Sequence, residues 1–528
     1  MNEFDYQKHL LELGRVSRRQ FIHRTAALGA SAALIGTALS RPAWANEPVK
    51  GGTLKFGMGG GSTTDSMNPS TATDSVAISQ VHTTYNHLVE LNSNREAIPE
   101  LALSWEPSSD AVTWAFKLRK DVEFHNGKTM DAHDVVYSIQ RHMGPDAQTA
   151  ASGVVAGIEE VRADGSDTVI ITLKGGNADL PYLMADYHLA IVPDGFDDWA
   201  NAVGTGPYMV EHYEAGVESK HVRNPNYWKE GRAHADAVEY TVINDATARS
   251  AALTSGQVSV INRISKRTVD LMKRNQALEI LNSPAGQHYT LPMHTQEGPL
   301  TDPNLRLALK HAIDREALVN TLLSGYGRAG NDHPIPDFDQ YFDSSMAQRA
   351  YDPDRAKHYL REAGVEDFTI QLHTSEAAFP EAVDTAQMYQ EAARAAGINL
   401  ELVRAPADGY WSDIWLNVPF CMSYWGGRAT PDMMYSIAYT CGAAWNETHY
   451  CSDEFDQLVR EARAELDQAR RKELYARAQE LVHMEGGNII PMFADYVDGY
   501  RRDEVGGYEE DFVFEMVGHR GAERLWAL

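Results

Sequence analysis

Apolar and polar residues alternate along Thr113-Trp114-Ala115-Phe116-Lys117-Leu118, the period-two signature of a strand with one buried face. Thr53 to Gly57, Thr168 to Leu173 and Val238 to Ile243 read as further strands. Asn126-Gly127 supplies a tight turn, and Asp131 to Arg141 a helix after it. The region from Gly51 to about Tyr240 is therefore mixed α and β structure.

The pattern then changes period. Asp302-Pro303 places an N-cap and a first-turn proline ahead of Leu305, Ala308, Leu309, Ala312 and Ile313, which share one face of a helix. Asp352-Pro353 repeats the device for Ala356, Tyr359, Leu360 and Ala363, with Gly364 placed to end that helix. A strand from Phe368 to Leu372, a helix from about Ala382 to Ala396 stopped by Gly397, and a strand from Ile398 to Val403 make a βαβ unit. Past about Tyr496 the apolar pieces, such as Phe512-Val513-Phe514, are too few for a separate core. That segment is expected to pack back on the first lobe, so the chain crosses between lobes at least twice and the pair can close like a clamshell.

The first residues stand apart from this patterning. Ser17-Arg18-Arg19-Gln20-Phe21-Ile22 carries an arginine pair, a Gly/Ala-rich apolar run follows from Ala26 to Leu39, and Ala43-Trp44-Ala45 has the small-x-small form of a processing site. Residues 1–45 read as a twin-arginine signal peptide removed before Asn46, which makes the mature protein periplasmic. No later segment approaches the ~20 apolar residues of a membrane helix.

Charge excludes some partners. The chain carries a net −27, and the leader is itself basic, so the mature part is more acidic still. Nucleic acid and anionic membrane both require cationic surface. Three cysteines, Cys421, Cys441 and Cys451, lack CxxC spacing. Cys441 with Cys451 is the pair chosen for a disulfide in an oxidising compartment, worth about 2 to 3 kcal/mol in chain entropy.

Several stretches resemble extracellular solute-binding protein family 5, the peptide, opine and nickel receptors of ABC importers. They are Lys50 to Leu54 (KGGTL), Ile98 to Ala102 with Ser104-Trp105, Phe124 to Lys128 (FHNGK), Asp134 to Ser138, Gly204 to Tyr208 (GTGPY), Arg223 to Trp228 (RNPNYW) and Arg306 to Arg315 (RLALKHAIDR). The resemblance implies an α/β, two-lobed periplasmic-binding-protein (clamshell) fold with an extra subdomain in the larger lobe. Lobe I with that subdomain is set at residues 46–288, lobe II at 289–495, and the return to lobe I at 496–528. It further implies a monomer that captures a small peptide or opine-type conjugate for ABC importer permease subunits in the inner membrane, with no cofactor.

In peptide receptors of the family, an Asp shortly after a Gly-Trp stretch pairs with the ligand's α-amino group. The matching stretch here runs from Tyr424 to Asp432, and the Asp position falls on Arg428, with Asp432 reached across a one-residue gap. An arginine there offers a planar fork of donors for a carboxylate and reverses the ligand's polarity. The alternative is an internal salt bridge from Arg428 to Asp432 or Asp413. A related receptor holds the peptide carboxylate with an Arg after the strand matching Phe368 to Leu372. Here Ser375 to Glu381 has acids instead, which brings Glu376 in as a candidate or as a solvated acid.

Aromatic residues suited to a ligand pocket gather nearby: Tyr410, Trp411, Trp415, Tyr424, Trp425 and Trp445. Of these, Trp425, beside Arg428, is the leading candidate, whereas Trp411 and Trp415 share a helical face and are expected in the core. The resemblance adds Ser62 and Tyr85 from the first lobe. His294 is either a cleft residue or a core histidine. No GxSxG, HExxH, CxxCH or phosphate-loop motif supports catalysis, and histidine pairs such as His82 with His87 lack a metal-binding context, so no metal is expected. A metal chelate or an oligosaccharide is the alternative ligand.

Overall fold

The computed structural model describes residues 48–144, 147, 149–406, 410–443, 445–511 and 513–528, so the expected leader and processing site lie outside the described residues. Two sheets that share no strand organise the chain. The first has seven strands in the order 278–283, 496–501, 260–261, 53–58, 237–242, 218–223 and 208–214. Strand Thr53–Met58 runs parallel to Ala237–Val242, with Phe56 opposite Tyr240, and their rings stack at 5.0 Å. Beside it stands a four-stranded antiparallel sheet, 102–107, 113–118, 168–173 and 158–163. The inward residues of that sheet, Trp114, Phe116, Val169 and Ile171 among them, form a separate core with Val135 and Ile139 of helix Ala132–Gln140. That is the extra subdomain, and the alternation of residues 113–118 places Trp114, Phe116 and Leu118 on its buried face.

The second lobe is built on the antiparallel order 327–329, 488–494, 288–292 and 423–425. The parallel pair Phe368–Thr374 and Ile398–Arg404 joins it through a bridge from His373 to Cys421. Helix Pro303–His311 begins at Asp302, whose side chain accepts from the Asn304 N–H, and helix Pro353–Glu362 is capped the same way by Asp352. Gly364 and Gly397 both take φ 79° where those turns need a left-handed residue.

Chain connectivity sets how the lobes meet. Strand Leu278–Ser283 lies in the first sheet, and the next strand, His288–Pro292, lies in the second. Asn488–Ala494 lies in the second, and Tyr496–Arg501 returns to the first. Both crossings are a few residues long and sit side by side, and elsewhere the lobes meet through side chains and through the Ala178 N–H, which donates to the Arg463 carbonyl (2.7 Å). Among the described residues, no helix is long and apolar enough to cross a membrane.

Candidate functional site

A cavity of about 1210 Å³ opens between the lobes. That exceeds the roughly 300–1,000 Å³ of ordinary small-ligand pockets and suits a ligand larger than one amino acid. Its first-lobe wall comes chiefly from the extra subdomain, including Tyr182, Asp186, Tyr187 and His188. Its second-lobe wall comes from Gly427 to Ala429, the helix holding Asp432 and Met433, and Trp445.

Arg428 reaches this cavity on a loop that turns tightly against the first crossing. A Cβ at Gly427 would stand 3.0 Å from the Gly286 Cα, so the two segments touch backbone to backbone. The Arg428 Nη1 donates to the carbonyls of Gly426 (3.0 Å) and Gly427 (3.3 Å), and the guanidinium lies 5.8 Å from the Trp425 ring centre. It forms no ion pair among the described residues. Burial lowers its pKa, an effect resisted by Tyr187 and Asp186 across the cavity.

Asp432 also lines the cavity, but its carboxylate is already engaged. Its Oδ1 accepts from Arg463 Nε (2.8 Å) and from the Ser436 hydroxyl (3.1 Å). The internal pairing anticipated between Arg428 and Asp432 is therefore made by Arg463 instead, which leaves Arg428 without an acidic partner among the described residues.

Of the second-lobe aromatic candidates, Trp445 lines the cavity, and the others pack around it without lining it. Trp445 is exposed at the cavity, 5.9 Å from Trp425 and 6.2 Å from Trp415. Tyr424 and Trp411 are exposed and pack edge to face at 5.8 Å, whereas Trp425 is buried behind Arg428. Glu447, fully buried, accepts from Trp415 Nε1 and from the Thr290 hydroxyl, each at 2.8 Å, and so holds the indole in place. Burial pushes the Glu447 carboxyl up, with its donors opposing. Of the two tryptophans expected in the core, Trp415 packs partly buried against the cluster that includes Met434, Tyr435 and Phe455, whereas Trp411 is exposed. Cys441 and Cys451 are joined in a disulfide that closes the loop carrying Trp445.

Five further candidates lie away from the cavity. Tyr85 is fully buried, with its hydroxyl donating to the Met67 carbonyl (2.9 Å), and Tyr410 does the same toward Met422 (2.8 Å). A backbone carbonyl satisfies each phenol, so both are core residues. Ser62 is exposed in a loop where it bonds Thr64 (2.8 Å), next to the hairpin turn at Gly216. His294 is buried and stacks on His449 at 4.2 Å. Glu376 pairs with Arg404 at 2.8 Å on the open surface, the side chains 65% and 67% exposed.

The first-lobe wall holds residues that the sequence reading missed. Asp186 Oδ1 accepts from the backbone N–H (3.0 Å) and the Nδ1 (2.7 Å) of His188, and His188 Nε2 lies 2.9 Å from the Ala72 carbonyl. Burial raises the Asp186 pKa, but the His188 bonds outweigh it and hold the carboxyl below its ordinary value. Burial and Asp186 push the Tyr187 hydroxyl up, which keeps it a donor. The Asp186-Tyr187-His188 run lacks glycines and has no recognisable spacing, so only packing reveals it.

One carboxylate cluster resembles a metal site. Glu90, Glu100 and Glu523 converge, but Arg520 (2.7 Å to Glu100), Arg524 (2.8 Å to Glu90) and Lys229 (2.9 Å to Glu523) fill the space between them. Three cations leave no room for a fourth. The cluster ties the C-terminal segment to the first lobe.

The sequence profile of bacterial extracellular solute-binding proteins, family 5 Middle, matches residues 96–447. The chain belongs to that family. As a member it is a solute-binding protein, and its two-lobed fold agrees with solved relatives. It is 27% identical over 473 residues to the dipeptide-binding protein of Escherichia coli (strain K12), covering 81% of this chain and 86% of the other. Heme-binding protein A of Haemophilus influenzae is 26% identical over 450 residues, covering 76% of this chain and 79% of the other. In structure, the ABC transporter-associated periplasmic binding protein DppA from Helicobacter pylori, in complex with peptide STSA, superposes with a TM-score of 0.77 at 23% identity. That match covers 90% of this chain and 98% of the other. The binding protein AgaA of A. tumefacien R10, in complex with agropinic acid, gives 0.77 at 22% identity, covering 90% and 99%. These relatives are binding proteins of periplasmic type.

Proposed function

We propose that this protein is exported by the twin-arginine route, is cleaved before Asn46, and serves as the periplasmic substrate-binding component of an ABC importer. Its ligand is a small peptide or an opine-type amino-acid conjugate whose carboxylate is held by Arg428. The observation that carries this reading is a guanidinium with no acidic partner among the described residues, aimed at an enclosed cavity in an acidic protein. The Coulomb attraction between Arg428 and an anionic ligand is strong there, because the lobes exclude water.

Opposite Arg428, the Asp186 carboxylate and the Tyr187 hydroxyl oxygen offer acceptors for the amine end. The polarity is thus reversed from that of a receptor with an acid at the 428 position. Trp445 and the aromatic wall behind it contact the apolar or ring-bearing part. Relatives named for dipeptides and for agropinic acid bracket this ligand class.

Native mass spectrometry of the purified mature protein tests the proposal. A retained amino-acid conjugate or short peptide with a free carboxylate supports it. A retained metal chelate or neutral oligosaccharide refutes it. N-terminal sequencing of the periplasmic protein should begin at Asn46, and Arg18→Lys with Arg19→Lys should abolish export.

A further inference from the structure

Arg95 sits in the loop joining strands Val89–Leu91 and Ala97–Pro99, in the first lobe. Its backbone is left-handed, with φ 68°, a conformation that costs any residue with a Cβ and suits glycine. The Arg95 N–H donates to the Asn92 carbonyl (2.9 Å), so the turn itself needs only a backbone at this position. An arginine kept where glycine would be less strained points to a task for its side chain.

That side chain crosses to the second lobe. Nη2 donates to the Ala429 carbonyl (3.0 Å) and to that of Arg428. Nη1 lies 3.2 Å from Asp339 Oδ2, with the two side chains 9% and 6% exposed. The guanidinium also stands 5.3 Å from the Phe338 ring centre. Every one of these partners is on the opposite lobe from Arg95, so the contacts exist only while the lobes are together. Two of the acceptors are the backbone carbonyls of Arg428 and its neighbour.

We propose that Arg95 is a positioning residue for the ligand anchor. On closure it docks between Asp339 and the Arg428–Ala429 peptide units, and so fixes the loop from which the Arg428 side chain faces the cavity. Closure and anchor geometry are then one event. A second interlobe pair, Asp179 with Arg471 at 2.8 Å, closes the same edge without touching the anchor loop. The proposal rests on Arg428 as the anchor, but its test does not depend on that reading.

The test uses hydrogen exchange and small-angle scattering on the purified mature protein, both as isolated and after addition of an equimolar mixture of alanyl dipeptides. Arg95→Gly removes the side chain and relieves the left-handed strain. Amides of residues 427–430 should exchange at least tenfold faster in this variant, and the radius of gyration should rise. The melting temperature of the dipeptide-free protein should stay the same or increase, which loss of a merely structural residue would not produce. Arg95→Lys keeps the charge toward Asp339 without serving both carbonyls and should fall between. Arg428→Ala leaves the 428 and 429 carbonyls to Arg95 and, although it removes the bonds to the Gly426 and Gly427 carbonyls, should keep most of the protection of the 428–430 amides. Wild-type exchange and dimensions for Arg95→Gly in both conditions would overturn the proposal, as would lost protection spread over the whole molecule. Unchanged ligand retention by Arg428→Ala would sink the anchor reading alone.

Discussion

Replacing Arg428 by alanine removes a planar cation that has no acidic partner among the described residues. A hydrogen bond to a charged group is worth about 1.5–3 kcal/mol net. A fork gripping one carboxylate in a water-poor cavity should therefore supply about 3 kcal/mol, roughly 100-fold in Kd at 1.4 kcal/mol per decade. Part of any loss could come from the loop, because Arg428 also donates to the Gly426 and Gly427 carbonyls. The melting temperature of the ligand-free variant isolates that part and should fall only slightly. Isothermal titration should use the ligand identified by mass spectrometry together with its carboxamide. Wild type should prefer the acid by about the same 100-fold, since the amide cannot offer two equivalent anionic oxygens. Arg428→Ala should bind acid and amide alike, because the two changes remove one interaction and cannot add. Arg428→Lys, a point charge without the fork, should recover only part of the preference. A variant that keeps the preference for the acid refutes the reasoning, whatever its absolute affinity.

Two buried carboxylates and the disulfide carry further predictions. Asp332 is fully buried, paired with Arg315 at 2.7 Å and with Arg349, and accepts the Ile490 N–H at 3.0 Å. Asp332→Ala would leave two guanidiniums unmatched and should cost about 3–5 kcal/mol in urea unfolding; a change under 1 kcal/mol would contradict this. Asp498 has its carboxyl raised to about 7, by burial first and by Glu515 next. The folded state thus holds a proton that the unfolded chain releases near pH 4, so this stabilisation is present at low pH and is lost as pH rises through 7. Asp498→Asn cannot ionise and can still accept the Met516 N–H, so its melting temperature should gain on wild type between pH 5 and pH 8; a constant gap would disprove the assignment. Replacing both Cys441 and Cys451 by serine should lower stability by about 2 to 3 kcal/mol and weaken ligand binding through Trp445. Unaltered binding would separate the disulfide from the aromatic wall.

Short-range chemistry was legible in the sequence because it is settled within a few residues. Alternation from Thr113 to Leu118 sets which side chains face a core, and Asp302-Pro303 and Asp352-Pro353 supply caps to their own helices, whatever lies beyond. The βαβ unit from Phe368 to Arg404 is equally local. Arg428 stood out because an unusual residue in a familiar stretch is visible without coordinates, whereas among the aromatic residues the sequence favoured Trp425, which is buried, over Trp445, which lines the cavity.

Tertiary packing decided the rest. Tyr85 and Tyr410 carry the same phenol as Tyr187, yet the first two spend it on the Met67 and Met422 carbonyls, while Tyr187 lines the cavity. Asp432 pairs with Arg463, a residue 31 positions away, and Arg428 has no acidic partner among the described residues. Asp186 and Arg95 are brought to the cavity only where the extra subdomain and the hairpin meet the second lobe. A side chain's periodicity reports which face it occupies. What that face meets depends on segments hundreds of residues away, and only the folded chain brings them within hydrogen-bonding distance.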